Sequence, residues 1–196
     1  MKPRVAILIS GRGSNMEALV KAAQARDYPA EVVLVLSNKS EAMGLEIARK
    51  LGIEAIAVPA RPFGKDREAH ERAIDAQLRA RNVQIVCLAG YMRLLTPWLV
   101  QRWTGRMLNI HPSLLPNFPG LDTHARAIAA GEAEHGCTVH LVTGGMDEGP
   151  VLGQARVPVL PGDTEAALAA RVLAQEHRLY PAILAELSRK ISLPAS

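Results

Sequence analysis

Apolar runs alternate with segments of helical spacing along most of the chain. An unbroken apolar run is typical of a strand buried on both faces of a parallel sheet, and such runs predict strands at 5–9, 32–36, 55–58 and 85–89. Segments that mix apolar and polar residues predict further strands at 107–111, 136–142 and 151–157. Apolar residues three or four positions apart predict helices at about 16–23, 42–51, 66–81, 96–103 and 123–130, and a long helix after Asp163 or Thr164. This alternation predicts an α/β fold with a doubly wound, mostly parallel sheet.

Capping and turn residues mark the ends of several predicted helices. Asp66 is a plausible N-cap for the helix that runs to Arg81, and Gly52 stands where a helix would end. The segment 60–65 is predicted to be a loop. Pro181 should kink or interrupt the last helix, because proline lacks the N–H that continues the hydrogen-bond ladder. The buried stripe of that helix is predicted to be Leu168, Val172, Leu179, Ile183 and Leu187.

Length and composition describe one globular domain over 1–196. The 196 residues are 48% hydrophobic and 21% charged, which suits one substantial core better than two domains. No run of about eighteen apolar residues occurs, so we expect no membrane span. The apolar part of the N-terminus, 5–9, is too short for a signal peptide, and cytoplasmic residence is expected. Cys87 and Cys137 form no CxxC or Cys/His cluster, which predicts reduced packing residues.

The net charge of +4 favours acidic partners. Lys and Arg residues are scattered, however, and only 4% of the residues are aromatic, so the basic patch with stacking aromatics that binds nucleic acid is missing. A small anionic ligand therefore fits better than a nucleic acid. No His, Cys, Asp or Glu cluster has the spacing of metal ligands, and no metal is expected.

A glycine turn follows the first predicted strand. Residues 10–15 read Ser-Gly-Arg-Gly-Ser-Asn and lead directly into a helix, an arrangement that presents backbone N–H groups and a helix dipole to a phosphate. Met16 occupies the third position of the GxGxxG dinucleotide fingerprint, and no P-loop lysine follows. A mononucleotide or sugar phosphate is therefore favoured over NAD. The alternative is a tight turn that needs a positive φ at Gly11 or Gly13.

Two polar side chains share one face of the strand at 107–111. Residues two apart on a strand point the same way, so Asn109 pairs with His111 while Leu108 and Ile110 point to the other face. An amide can donate to a developing oxyanion and an imidazole can move a proton, which together suit nucleophilic attack on a carbonyl. Pro112 ends the strand and places His111 at its carboxyl end, where open α/β sheets bind ligands. The alternative is a buried Asn and His that bond only to backbone groups.

The stretch from Asn109 to Pro116, Asn-Ile-His-Pro-Ser-Leu-Leu-Pro, followed by Phe-Pro-Gly at 118–120, resembles the signature of the folate-dependent formyltransferases. The resemblance extends in order along nearly the whole chain. It implies the formyltransferase fold, with a Rossmann-like, nucleotide-phosphate-binding half at 1–100 and a catalytic, folate-binding half at 101–196. It also implies transfer of the formyl group of 10-formyltetrahydrofolate to the amine of glycinamide ribonucleotide in purine biosynthesis, by a monomer or homodimer without a metal.

The resemblance also implies the site residues. His111, Asn109 and Asp147 match catalytic positions, with Asp147 orienting the imidazole or favouring its charged form, and His140 matches a further family position. The nucleotide substrate is expected at Gly13, Ser14, Asn15 and Glu176. The folate is expected at Arg67, Met92, Arg93, Leu94, Leu95, Asn109, Thr143, Gly144, Gly145, Met146 and Asp147. The residues alone favour packing residues around one Arg at 92–95 and a solvated turn acid at Asp147, and the alternative for Glu176 is a surface-helix acid.

Other functions remain open at this point. Methionyl-tRNA formyltransferases and formyltetrahydrofolate hydrolases share the His-Pro-Ser-Leu-Leu-Pro core. A methionyl-tRNA formyltransferase is expected to carry an RNA-binding domain after this core, and a formyltetrahydrofolate hydrolase a regulatory domain before it. We expect neither domain here. Sugar-nucleotide formyltransferases share the core too. A nucleotide-binding sensor without catalysis would bind ligands and ignore loss of His111, and an NAD-dependent enzyme would bind a nicotinamide cofactor.

Overall fold

A computed structural model describes residues 1–192. Its strands are β1 (Arg4–Ile9), β2 (Glu31–Ser37), β3 (Ala55–Ala57), β4 (Ile85–Leu88), β5 (Met107–His111), β6 (Glu134–Leu141) and β7 (Val151–Pro158). Its helices are α1 (Ser14–Ala23), α2 (Met43–Lys50), α3 (Arg67–Ala80), α4 (Pro97–Arg102), α5 (Thr123–Ala129) and α6 (Glu165–Ser192). None of the helices within residues 1–192 has the length and apolar character needed to cross a membrane.

The seven strands form one sheet in the order β3-β2-β1-β4-β5-β6-β7. The pairs from β3 to β5 are parallel, whereas β6 pairs antiparallel with both β5 and β7. The chain builds the sheet outward in one direction from β1 to β3 and in the other direction from β4 onward. The carboxyl ends of the neighbouring strands β1 and β4 therefore border a crevice. The predicted α/β fold with a mostly parallel sheet is confirmed.

Both faces of β1 are buried, which explains its unbroken apolar run. Val5, Ile7 and Ile9 belong to the core that includes residues of α1 and α6, whereas Ala6 and Leu8 belong to the core beside α3 and α4. Successive side chains on a strand point to opposite faces, so a strand between two helical layers needs apolar residues at every position.

The element ends follow the predicted caps, and one predicted loop differs. Asp66 caps α3 by accepting from Ala69 N at 2.9 Å, and Thr164 rather than Asp163 accepts from the first turn of α6, at Ala167 N. The predicted loop at 60–65 contains a 3-10 turn, Arg61–Phe63.

The predicted interruption at Pro181 is wrong, because α6 continues through this residue. A proline removes a single N–H from the ladder, and the apolar stripe on both sides of it stays packed against the sheet. The Pro181 carbonyl also accepts a hydrogen bond from Tyr28 Oη at 2.7 Å. Tertiary packing therefore holds the helix together across the proline.

Candidate active site

A continuous cleft runs across the carboxyl ends of β1, β4 and β5. It has three parts, which we call the glycine-loop pocket (about 330 Å³), the central pocket (about 410 Å³) and the apolar pocket (about 360 Å³). Met92 lines all three parts, and Asn109 and His111 line both the central and the apolar pocket. The two side chains singled out on β5 thus lie where two pockets meet.

The glycine-loop pocket is formed by residues 10–15, with Lys39 and Gly90 opposite. Gly13 has a φ of +72°, a conformation that favours glycine, and it directly precedes the first turn of α1. The N–H groups of Ser14 and Asn15 belong to that first turn, where no intrahelical acceptor is in reach. The pocket therefore offers backbone donors and two cationic side chains, Arg12 and Lys39, to an anion.

Ser10 connects this pocket to the loop that follows β4. Its hydroxyl donates to Asn38 Oδ1 at 2.6 Å and accepts from Met92 N at 2.8 Å, while its own N–H donates to the Gly90 carbonyl at 3.1 Å. Ser10 and Asn38 each follow an apolar strand in the sequence, and that pattern could have identified them as site residues.

The apolar pocket lies between two loops. Residues 91–95 form one wall and residues 142–147 the other, with Leu88, Asn109 and His140 between them. Four large apolar side chains stay exposed around it, namely Met92, Leu94, Leu121 and Met146. Exposed apolar side chains around a concave site favour a flat, apolar ligand such as an aromatic ring system.

The central pocket contains a buried acid. Glu176 on α6 is only 6% exposed, and its Oε2 accepts from Asn15 Nδ2 at 2.6 Å. Burial raises the pKa of Glu176, and the hydrogen bond from Asn15 opposes this effect. The Oδ1 atom of Asn15 is buried and has no hydrogen-bond partner among the described residues. This part of the cleft therefore presents acceptors to an amine or hydroxyl donor.

Each ring nitrogen of His111 has a polar neighbour, and one of the two contacts is a hydrogen bond. Its Nε2 lies 2.9 Å from the Phe118 carbonyl, and its Nδ1 lies 3.4 Å from Asp147 Oδ2. A carbonyl only accepts, so Nε2 carries a proton toward Phe118 and the other nitrogen faces a carboxylate. The ring is therefore oriented by a carbonyl on one side and by a carboxylate on the other.

Asn109 is oriented by its cross-strand neighbour. His140 pairs with Asn109 in the ladder between β5 and β6, and its Nε2 lies 3.3 Å from Asn109 Nδ2. The Nδ1 of His140 donates to the Leu141 carbonyl at 3.0 Å, so in the neutral ring Nε2 accepts from the amide. One N–H of the Asn109 amide is thereby engaged, and the second stays available to a ligand.

Asp147 lies in the loop between β6 and β7 and contacts both histidines. Its Oδ2 accepts from Gly120 N at 3.1 Å, and its Oδ1 lies 3.7 Å from His140 Nε2. Interaction with His140, the Gly120 N–H and the charge of His111 lower the pKa of Asp147, against the opposing effect of burial. The carboxylate therefore stays ionised beside the imidazole.

The loop after His111 is fixed by hydroxyl groups on neighbouring elements. Thr138 Oγ1 on β6 donates to the Ser113 carbonyl at 2.7 Å and accepts from Leu115 N at 3.0 Å, and Thr123 Oγ1 donates to the Pro112 carbonyl at 2.6 Å. These bonds hold the segment that presents the Phe118 carbonyl and the Gly120 N–H to the site.

The structure brings almost all of the predicted site residues to this cleft. Those that line it are Gly13, Ser14, Asn15, Met92, Arg93, Leu94, Leu95, Asn109, His111, Thr143, Gly144, Gly145, Met146, Asp147 and Glu176. Arg67 lies beside the cleft instead, where its Nη1 is 3.4 Å from the Leu94 carbonyl. The backbone groups of Phe118 and Gly120 were missed, because no side-chain pattern signals them. Within residues 1–192, no group of three or more His, Cys, Asp or Glu is arranged to hold a metal ion.

Comparisons with known proteins identify the family of the chain. Residues 3–184 match the family described as formyl transferase. Phosphoribosylglycinamide formyltransferase of Escherichia coli K12 is 46% identical over 180 residues, which cover 92% of this chain and 84% of that protein. The trifunctional purine biosynthetic protein adenosine-3 of Drosophila pseudoobscura is 47% identical over 189 residues, or 95% of this chain. The chain spans only 14% of the length of that trifunctional relative.

A solved structure extends the likeness to three dimensions. The crystal structure of phosphoribosylglycinamide formyltransferase from Brucella melitensis has a TM-score of 0.93 and 55% sequence identity, and the match covers 100% of both chains. The fold of this chain therefore agrees with that of a relative of known structure along its whole length. The chain belongs to the formyl transferase family, among its phosphoribosylglycinamide formyltransferases.

Proposed function

We propose that this chain transfers the formyl group of 10-formyltetrahydrofolate to the amine of N1-(5-phospho-D-ribosyl)glycinamide, in the de novo synthesis of IMP. The amine attacks the formyl carbon directly, and a tetrahedral intermediate then releases tetrahydrofolate. The similarity to the phosphoribosylglycinamide formyltransferases of Escherichia coli and Brucella melitensis supports this acceptor. The cleft supports it through its three parts, each of which suits one part of the two substrates.

The nucleotide substrate occupies the glycine-loop and central pockets in this proposal. Its phosphate accepts from the backbone of Gly13, Ser14 and Asn15, and Glu176 accepts from its glycinamide or ribose donors. The folate occupies the apolar pocket. The residues proposed to hold it are Arg67, Met92, Arg93, Leu94, Leu95, Asn109, Thr143, Gly144, Gly145, Met146 and Asp147.

The chemistry takes place between the pockets, at Asn109 and His111. The attacking nitrogen forms a C–N bond to the formyl carbon, and the carbonyl oxygen becomes an oxyanion. The free N–H of Asn109 donates to this oxyanion, and the His111 imidazolium beside it contributes positive charge. The intermediate then breaks its bond to N10 of the folate, and the proton lost by the amine is delivered to that nitrogen. Asp147 stabilises the charged form of His111 throughout.

One observation carries the proposal. An amide and an imidazole, oriented by His140 and Asp147 respectively, lie at the junction of a phosphate-type pocket and an apolar pocket. A formyl transfer needs its acceptor and donor to meet at such a junction, with donors aimed at the developing charge.

The direct test is formyl transfer by the purified chain. The chain is mixed with 10-formyltetrahydrofolate and glycinamide ribonucleotide, and release of tetrahydrofolate is followed with His111→Ala in parallel. We expect an active wild type and a loss of roughly two or more decades of kcat in the variant, the usual size of an acid-base contribution. His70→Ala is the matched control, because His70 is also buried and its Nε2 also bonds a carbonyl, at Val58, but it does not line the cleft.

The other outcomes separate the alternatives. Release of tetrahydrofolate without the nucleotide would indicate a hydrolase. Binding of both substrates without turnover by the folded wild type would favour the non-catalytic sensor, and loss of activity in His70→Ala equal to that in His111→Ala would remove the assignment of His111.

A further inference from the structure

A buried carboxylate on α3 has no part in the proposed chemistry. Glu71 is only 2% exposed and does not line the cleft. Both of its oxygens accept from one residue, because Thr96 N donates to Oε1 at 2.8 Å and Thr96 Oγ1 donates to Oε2. Burial of a polar group costs stability unless it is hydrogen-bonded, and Thr96 alone supplies a bond to each of these two oxygens.

Thr96 connects residues 91–95, which form one wall of the apolar pocket, to α4. It follows directly on residues 91–95 and occupies the N-cap position of α4, yet its side chain makes no capping bond to its own helix. The hydroxyl that would normally cap α4 is turned to Glu71 instead. Two bonds to one carboxylate fix both the backbone and the side chain of Thr96.

The same helix contacts the wall at a second point. Arg67 lies one turn before Glu71 on α3, and its Nη1 is 3.4 Å from the Leu94 carbonyl. The other end of the wall is held from a different side, by Ser10 at Met92 N. The loop is therefore anchored to the glycine turn at its start and to α3 at its end.

We propose that Glu71 is a positioning residue that sets the place of residues 93–95, which line only the apolar pocket, and thereby the affinity for the folate co-substrate, without acting on the nucleotide site. The proposal rests on the proposed function. Its specificity follows from the geometry, because the contacts of Glu71 reach the end of the wall that borders the apolar pocket and not the glycine-loop pocket.

Glu71→Gln tests the proposal with a side chain of equal size. A glutamine keeps one acceptor oxygen for Thr96 N, and its NH2 group then donates to Thr96 Oγ1, so the hydroxyl has to turn and both bonds lose the charge of the carboxylate. We expect the KM for 10-formyltetrahydrofolate to rise roughly three- to tenfold, because neutral hydrogen bonds hold Thr96 less firmly than charge-assisted ones. The KM for glycinamide ribonucleotide should stay within about twofold, because the phosphate contacts do not involve α3. Glu68→Gln is the matched control, since Glu68 lies on the same helix, is exposed and pairs with Arg72.

Variants of Thr96 make the test independent of how well Glu71→Gln folds. Thr96→Val removes the hydroxyl and should raise the folate KM as Glu71→Gln does, whereas Thr96→Ser keeps both donors and should restore the wild-type KM. A parallel rise of both KM values in Glu71→Gln, or no rise of the folate KM, would overturn the proposal. Absence of formyl transfer by the wild type would instead count against the proposed function, and the affinity for a non-transferring folate analogue would still report on Glu71.

Discussion

The Nδ1 atom of His111 lies 3.4 Å from Oδ2 of Asp147, across the end of β5 and the loop between β6 and β7. The same carboxylate oxygen accepts from Gly120 N at 3.1 Å. One acid thus joins the imidazole, the loop after β5 and the loop after β6. The charge of Asp147 acts on His111, and its hydrogen bond from Gly120 N holds the two loops together. A substitution can remove the charge and keep the hydrogen bond.

Asp147→Asn removes the charge and keeps the shape. The asparagine can still accept from Gly120 N, so the loop should stay in place, but no carboxylate faces His111 Nδ1. We expect kcat to fall about a hundredfold while both KM values change little, because the carboxylate favours the charged form of His111, which faces the developing oxyanion, and does not act on substrate binding through its charge. Steady-state kinetics with both substrates varied check this. A rise in KM with an unchanged kcat would mean that Asp147 only binds substrate.

Gly149 keeps the Asp147 loop close to β6, and Gly144 does not. A Cβ added at Gly149 would lie 1.6 Å from the Leu141 carbonyl oxygen, the group that bonds His140 Nδ1, whereas a Cβ at Gly144 would meet nothing within 4 Å. We therefore expect Gly149→Ala to lower kcat by at least about tenfold through displaced His140 and Asp147, and to lower Tm by several degrees. Gly144→Ala, the matched control on the same loop, should keep wild-type kcat and Tm. Equal effects of the two variants would contradict this account.

Glu176 binds the nucleotide substrate in the proposed function, but its burial lowers the stability of the folded state at neutral pH. Burial raises its pKa above the ordinary 4.5, so the folded state holds the proton more tightly than the unfolded state, and the residue costs stability once pH rises through that range. Glu176→Gln should raise Tm at neutral pH, and the gain should disappear below about pH 4.5. The KM for glycinamide ribonucleotide should rise roughly tenfold as a charged acceptor is lost. Thermal melts at neutral pH and below about pH 4.5 test the predicted change in Tm, and steady-state kinetics test the predicted change in KM. A lower Tm of Glu176→Gln at neutral pH would refute the stability prediction.

The elements were predictable where both faces of a strand are buried. The run Val5–Ile9 identified β1 because every position is covered, and the period of two placed Asn109 and His111 on one face. The break at Pro181 was predicted from local chemistry alone and failed, because packing of the residues around it outweighs one missing hydrogen bond.

The site was less predictable where its contacts depend on backbone groups or on the register of the strands. Phe118 offers its carbonyl and Gly120 its N–H, and any residue could supply these groups in a loop of this shape. His140 orients Asn109 only because β6 runs antiparallel in a register that sets them opposite. Neither register nor loop shape is encoded in the spacing of polar residues, so these contacts needed the structure.

The last prediction concerns His135, a buried histidine behind the loop after His111. Burial, more than the nearby charge of His124, lowers its pKa to about 4 from the ordinary 6.5, while a hydrogen bond to the Pro112 carbonyl opposes this effect. Its Nε2 is buried and has no partner within residues 1–192, so a proton added there would lie unpaired. The folded state therefore binds this proton less readily than the unfolded state does.

The sign of the pH dependence follows. Between pH 6.5 and about 4 the unfolded state holds more protons at this site, so the free energy of unfolding falls as the pH is lowered through that window and levels off below it. The loss attributable to His135 is about 3 kcal/mol at most.

His135→Asn keeps an N–H for the Pro112 carbonyl but has no group that titrates. It loses the ring contacts with Phe118 and His124, so it should be less stable than the wild type at neutral pH by about 1–3 kcal/mol. Its free energy of unfolding should nevertheless depend less on pH, so urea denaturation from neutral pH down to pH 4 should bring the two proteins closer together. Parallel curves across that range would show that the acid sensitivity comes from other groups, because a buried neutral histidine cannot be removed without flattening the slope that it causes.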